Sequence, residues 1–139
     1  MSRAGMRVQR LMGAVILAVL ALVVTQKFTA STAAVTAPAS GGLSCQGLEA
    51  LWTSAGGSSG AAFMAAEIAR AESGGQQGAT DNNANGTTDR GYWQVNSIHG
   101  ALSTYDPAGN ARAAVQLSSD GADWSPWVTY ATGAYRGQC

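Results

Sequence analysis

Positive charge is scarce in this 139-residue chain and unevenly spread. Of its eight basic residues, Arg3, Arg7, Arg10 and Lys27 precede the last hundred-odd positions, and only Arg70, Arg90, Arg112 and Arg136 follow. All eight acids lie in that later part, so from Ser40 onward the side-chain charge is −4. Such a balance argues against nucleic acid as a partner, because that binding rests on Lys and Arg neutralising phosphates. There is one histidine, His99, and there are two cysteines, Cys45 and Cys139. Two cysteines without a local Cys/His cluster do not make a zinc site. A Gly-rich phosphate loop and a G-x-S-x-G elbow are both missing. No metal and no other cofactor is expected, and His99 reads as an ordinary surface histidine. Internal repeats are also missing.

The N-terminal forty residues differ from the rest. Three arginines precede an apolar run, Leu11 to Val24, and small residues follow from Thr29 to Ser40. Charged, then apolar, then small is the order of a secretory signal. The run is short of the roughly 20 residues that a membrane span needs, although an anchor retained through residues 11–24 is the alternative. Ala37-Pro38-Ala39 fits an A-x-A cleavage site, with Ala33, Ala34 and Ala37 leaving other choices open. The expected organisation is a signal over residues 1–39 and one domain over residues 40–139, placed outside the cytoplasm and acting as a monomer. In an oxidising compartment two cysteines default to a disulfide; free thiols or an intermolecular pair are the other options. An intrachain bridge between these positions closes a long loop, for which chain-entropy models give about 4–5 kcal/mol.

Leu43, Leu48, Leu51 and Trp52 stand at near-helical spacing, which predicts a helix over Cys45 to Ser54, stopped by Gly56-Gly57. Ala61 to Ser73 is alanine-rich and free of Gly and Pro, which predicts a second helix ending at Gly74-Gly75. Asn85-Gly86 signals a two-residue hairpin turn, with strands expected at Thr87-Thr88 and Tyr92 to Val95. His99 to Ala108 reads as irregular. A third helix is expected over Asn110 to Leu117 with Asn110 as its N-cap, and a fourth over Trp124 to Tyr135, with Pro126 tolerated in its first turn. The fold class is therefore α+β, mostly α, with one small antiparallel sheet.

Two carboxyls stand out. In the second helix Ala61, Ala65, Ile68, Ala69 and Glu72 share one face, which places Glu72 on the apolar stripe in the last turn. Glu67 falls about 140° away at roughly 100° per residue and is expected in solvent. Burial and the negative end of the helix both disfavour a charged Glu72, and a carboxyl kept protonated is what a general acid requires. Asp89 follows the hairpin turn among small polar residues, with Asn83 and Asn96 as amide donors to it. One carboxyl in apolar and one in polar surroundings is the arrangement used in glycoside hydrolysis. The bland alternatives are a glutamate that curls out to water and an aspartate that bonds its own turn. Asp81, Asn83, Asn85, Gly86 and Asp89 also match five positions of a calcium loop, but Tyr92 stands where the bidentate glutamate belongs, which argues against calcium.

Glu72-Ser73-Gly74, Ala79-Thr80, Asn83, Gly86, Thr88-Asp89, Gly91 and Gln94-Val95-Asn96-Ser97 together resemble the active-site segment of animal C-type lysozymes, without a gap. The E-S-G-G helix end and the later G-Y-W-Q-V-N are also similar to secreted actinobacterial proteins of the lytic transglycosylase group. A weaker likeness continues through Asn110, Ser119-Asp120-Gly121, Trp124-Ser125-Pro126-Trp127 and Ala134-Tyr135. The resemblance implies a lysozyme-like fold and a peptidoglycan substrate, cut at the β-1,4 bond between N-acetylmuramic acid and N-acetylglucosamine. It matches Glu72 to the catalytic acid and Asp89 to the second carboxylate, as nucleophile or stabiliser. It matches Asn83 and Asn96 to supports of Asp89, Gln94 to the cleft lining, Trp124 to the tryptophan packed on the acid, and Cys45–Cys139 to a bridge between chain ends. Trp93 is either a sugar-stacking platform or core, and core is the usual place for a strand aromatic. Only 13 residues separate Asn96 from Asn110, so the long loop of the animal family is missing, as are its other disulfides. The acidic charge argues against electrostatic steering toward an anionic wall. Hydrolysis, transglycosylation through the sugar's own 6-hydroxyl, and glycan binding without cleavage all remain open at this point.

Overall fold

The computed structural model describes residues 41–139; the secretory signal or anchor read from residues 1–39 lies outside the described residues. Among the described residues no helix is long and apolar enough to cross a membrane. In chain order the elements are α1 (Cys45–Ser54), α2 (Ala62–Ser73), β1 (Thr80–Asn82), β2 (Thr88–Arg90), β3 (Val95–Asn96), a 3₁₀ segment (Ser97–Leu102), α3 (Pro107–Leu117) and α4 (Val128–Thr132). The architecture is mostly helical with one three-stranded antiparallel sheet in the order β1-β2-β3.

Helix α1 starts where the Ser44 hydroxyl accepts the Gly47 N–H at 3.2 Å and buries Leu48, Leu51 and Trp52. Helix α2 ends at Gly74, whose left-handed φ of 62° suits a residue without Cβ. It packs on α1, and its alanines Ala65, Ala66 and Ala69 are fully buried. Small side chains there let indole rings approach the backbone: the Trp93 Nε1–H donates to the Ala65 carbonyl at 2.9 Å. Trp52, Trp93, Trp124 and Trp127 form a continuous chain in the core, with ring centroids 6.3 Å (52–93), 5.5 Å (52–124) and 5.2 Å (124–127) apart. A buried indole N–H needs an acceptor. Trp52 uses the Ser58 carbonyl at 3.0 Å and Trp127 the Trp93 carbonyl at 2.8 Å.

Several expectations need correction. Glu67 is buried, not solvated, and accepts the Gly137 N–H at 2.9 Å. Helix α2 is central, so the side away from Glu72 is covered by the chain's last residues. The hairpin is made by β1 and β2, with Asp81 opposite Asp89, and its loop runs from Asn83 to Thr87, closed by Asn83 N–H to the Thr87 carbonyl at 2.9 Å. Tyr92 and Trp93 lie not in a strand but in a turn, Gly91 to Gln94, between β2 and β3. Helix α3 begins one turn earlier than expected, capped by the Asp106 carboxylate on Gly109 N–H. Asn110 is therefore no cap. It is fully buried, accepts from Trp93 N–H at 2.9 Å, and donates to the Arg90 and Thr104 carbonyls at 2.9 and 3.0 Å. Helix α4 is only five residues long, because Trp124 and Trp127 both turn into the core and break regular winding before Val128.

Candidate active site

A groove of about 450 Å³ separates the sheet from the segment leading into α4. Its floor and sheet-side wall carry Glu72, Asp81, Asn83, Asp89, Gln94 and Asn96; Pro126, Trp127 and Val128 form the other side, with Ile98 and His99 on the 3₁₀ segment. It contains three carboxylates and no Lys or Arg among its lining residues.

Glu72 sits in the last turn of α2, partly buried. Burial pushes its carboxyl above the ordinary glutamate range, and the negative charges of Asp89 and Asp81 push the same way. The largest opposing influence is Thr129, whose hydroxyl donates to Glu72 Oε1 at 2.6 Å. Desolvation exceeds this hydrogen bond, so the net displacement is upward.

Asp89 occupies the middle strand, opposite Asp81 on one side and Asn96 on the other. Both of its oxygens are held by amides: Asn83 Nδ2–H donates to Oδ2 at 2.8 Å and Asn96 Nδ2–H to Oδ1 at 2.6 Å. The same two amides reach the Thr87 hydroxyl at 3.1 and 3.0 Å, so Thr87, which the sequence left as a strand residue, ties the pair together. A carboxylate gripped from both sides keeps a fixed orientation toward the groove.

Gln94 also lines the groove, held by two hydrogen bonds from its amide, to the Gly91 carbonyl at 2.7 Å and the Ala79 carbonyl at 3.0 Å. Its φ of 46° is left-handed, unusual for a residue with Cβ. The turn is locked from behind. Gly91 has φ 77°, and a Cβ there would meet the Asn110 side chain at 2.6 Å. Asn110 thus reads the turn's backbone at Arg90 and Trp93, Trp127 reads it again at the Trp93 carbonyl, and Gln94 emerges at a set angle.

The tryptophans divide differently from expectation. Trp93 is fully buried and offers no ring face to a ligand. Trp124 is in the core, but it lines a different depression; the tryptophan that shares the groove with Glu72 is Trp127. His99 is exposed at the groove's edge. Cys45 and Cys139 form an intrachain disulfide, Cα atoms 5.7 Å apart, at the opposite ends of the described helices. Asp81, Trp127 and Thr129 are groove or acid neighbours that sequence reasoning did not select. Asp81 was recoverable from its mirror position to Asp89 about the Asn85 turn; Thr129 had no local signal.

Searches of curated proteins and of solved structures gave no match. A family profile described as a lysozyme like domain does match, over residues 49–129. That span runs from within α1 into α4 and takes in every residue of the groove, so profile and architecture agree that this chain belongs to the lysozyme-like domain family.

Proposed function

We propose that the protein cleaves peptidoglycan outside the cytoplasm, at the β-1,4 bond between N-acetylmuramic acid and N-acetylglucosamine, with Glu72 as general acid. The observation that carries this reading is the contrast between the two carboxyls of one groove. Glu72 is partly desolvated and held above its usual range, the state that can donate a proton to a glycosidic oxygen. Asp89 is fixed by two amide donors and faces the same space. As the leaving oxygen takes the Glu72 proton, positive charge grows on the sugar. Asp89 then either stabilises that charge or attacks the anomeric carbon, and water releases the sugar with Glu72 acting in reverse as base. Asn83 and Asn96 orient Asp89, Gln94 contacts substrate from the turn, and Trp127 rather than Trp93 or Trp124 supplies the apolar wall.

A second reading is lytic transglycosylation, in which the sugar's own 6-hydroxyl attacks and a 1,6-anhydro ring forms. The E-S-G-G and G-Y-W-Q-V-N segments favour it, and it needs Glu72 without a second carboxylate. A turbidity assay on purified walls tests the shared step: Glu72→Gln should abolish clearing, and equal clearing by both proteins would remove Glu72 from the chemistry. Mass spectrometry of the products separates the two routes. Reducing ends support hydrolysis; anhydro ends support transglycosylation. If neither protein clears walls yet both sediment with them, the domain binds glycan without cutting it.

A further inference from the structure

A second depression of about 470 Å³ is lined by Trp124 and Tyr130, which flank Trp127 and Val128 in the chain. Ser58, Gly60, Met64, Asp120, Trp124 and Tyr130 are among the residues that line it, and none of its lining residues belongs to the Glu72 groove. The two are nonetheless neighbours, since Trp124 in one and Trp127 in the other have ring centroids 5.2 Å apart. Nothing in the mechanism above uses this depression.

Its chemistry is specific. Tyr130 is 39% exposed, and it stacks on Tyr135 at 5.4 Å with an interplanar angle of 22°. That stack fixes the ring while leaving part of it open. Asp120 faces it from a turn in which Ser119, Asp120 and Gly121 are all left-handed, with φ of 50°, 57° and 81°. Two consecutive non-glycine residues in that region persist only where the surroundings hold them. Here Asp120 Oδ1 accepts the Ser58 N–H at 2.7 Å, and Gly121 lies so close to Ala61 that a Cβ could not fit. One carboxylate oxygen is therefore spent on the fold and the other is free to accept. No Lys or Arg lines the depression.

We propose that this depression is a second glycan-binding site, taking uncharged N-acetylated sugar units that lie outside the Glu72 groove. An aromatic ring offers the apolar C–H face of a pyranose a surface, and a carboxylate with a nearby hydroxyl offers acceptors to its hydroxyls. Absence of a cation disfavours carboxylate-bearing sugars. The site also answers a physical need. With −4 of side-chain charge from Ser40 onward, the protein gains nothing from electrostatics at an anionic wall, so retention on an insoluble substrate must come from neutral contacts. The polymer is that of the proposed function, and on that identity the inference rests.

The test uses the Glu72→Gln protein, which keeps substrate uncut, in sedimentation with insoluble walls. Gly60→Trp blocks the depression at a position with open space beyond its Cβ and no left-handed φ. Tyr130→Ala removes the ring, and Tyr130→Phe keeps it. Gly60→Trp and Tyr130→Ala should weaken wall binding about tenfold, the scale of one lost aromatic anchor, while Tyr130→Phe binds as the parent does. In the Glu72 protein, the same two changes should slow clearing of insoluble walls and leave turnover of a soluble tetrasaccharide of alternating N-acetylglucosamine and N-acetylmuramic acid unchanged. Equal wall binding by all variants overturns the proposal, as does a parallel fall in soluble turnover, which would place the effect in the groove. If the Glu72 protein clears no walls but binding still depends on Gly60 and Tyr130, the catalytic reading fails and the second site stands.

Discussion

Replacing Thr129 by valine removes one hydroxyl and changes little else in shape, so it isolates the larger of the two Thr129 contacts that oppose the upward displacement of Glu72, leaving the backbone one in place. The hydroxyl donates to Glu72 Oε1 at 2.6 Å, and it favours the charged form. Hydrogen bonds to charged groups contribute about 1.5–3 kcal/mol, and about 1.4 kcal/mol corresponds to one pH unit. The site is only partly buried, so solvent screening reduces the figure, and about one unit is the expected rise. The general acid must be protonated to work, and its ionisation sets the basic limb of the kcat/KM profile. That limb should therefore move to higher pH by about one unit in Thr129→Val, with the acidic limb in place. Initial clearing rates, taken from about pH 4 to about pH 9 at constant ionic strength, give the profile. A basic limb that stays put, or moves to lower pH, would refute Glu72 as the titrating acid or the Thr129 contact as its regulator.

Four further outcomes are expected. Glu72 has a folded-state carboxyl raised above its unfolded value, so its contribution to stability is present at low pH and lost as pH rises through the folded value. Glu72→Gln should thus match the parent's Tm below about pH 4 and exceed it near neutrality, as thermal melts across pH would show. Asp89→Asn turns a new NH2 toward one of the Asn83 and Asn96 amides, so one N–H of that amide loses its acceptor while its bond to Thr87 remains, which should cost about 1–3 kcal/mol; urea denaturation measures it, and wall clearing in the same variant should collapse if hydrolysis is the route. Gly91→Ala forces a Cβ onto Asn110 at a left-handed φ, so both melting temperature and activity should fall, the latter through a displaced Gln94. Opening the Cys45–Cys139 bridge frees a loop of 94 residues, and the double serine variant should lose up to about 4–5 kcal/mol by chain entropy, read as a lower urea midpoint.

Local pattern was enough where an element obeys one rule. Leu48, Leu51 and Trp52 at helical spacing, followed by Gly56-Gly57, gave α1 its observed bounds, and Gly74-Gly75 marks the end of α2 because both take a left-handed φ, 62° and 78°. Pattern failed where tertiary packing overrides the local preference. Glu67 looked like a solvent residue because its helix was read as half exposed, whereas α2 is wrapped on more than one side. Asn110 has the chemistry of a cap, but its three side-chain hydrogen bonds go to backbone 6, 17 and 20 positions away, and nothing in its immediate neighbours announces this. The α4 region looked like a long helix because Trp124, Trp127 and Val128 suit helical spacing; both rings are instead drawn into the core, Trp124 against Trp52 and Trp127 onto the Trp93 carbonyl. At the site, Glu72, Asp89, Asn83, Asn96 and Gln94 were legible because they lie within one stretch of 25 positions. Thr129 was not, since its contact to Glu72 spans 57 positions.

The bridge between Cys45 and Cys139 has a mechanical meaning. The bridge pins Cys139 to the first residue of α1, and every helix and strand described here sits in the loop that it closes. An end that frays at Cys139 stays held beside α1, so the Gly137 N–H is returned to Glu67 instead of being lost to solvent.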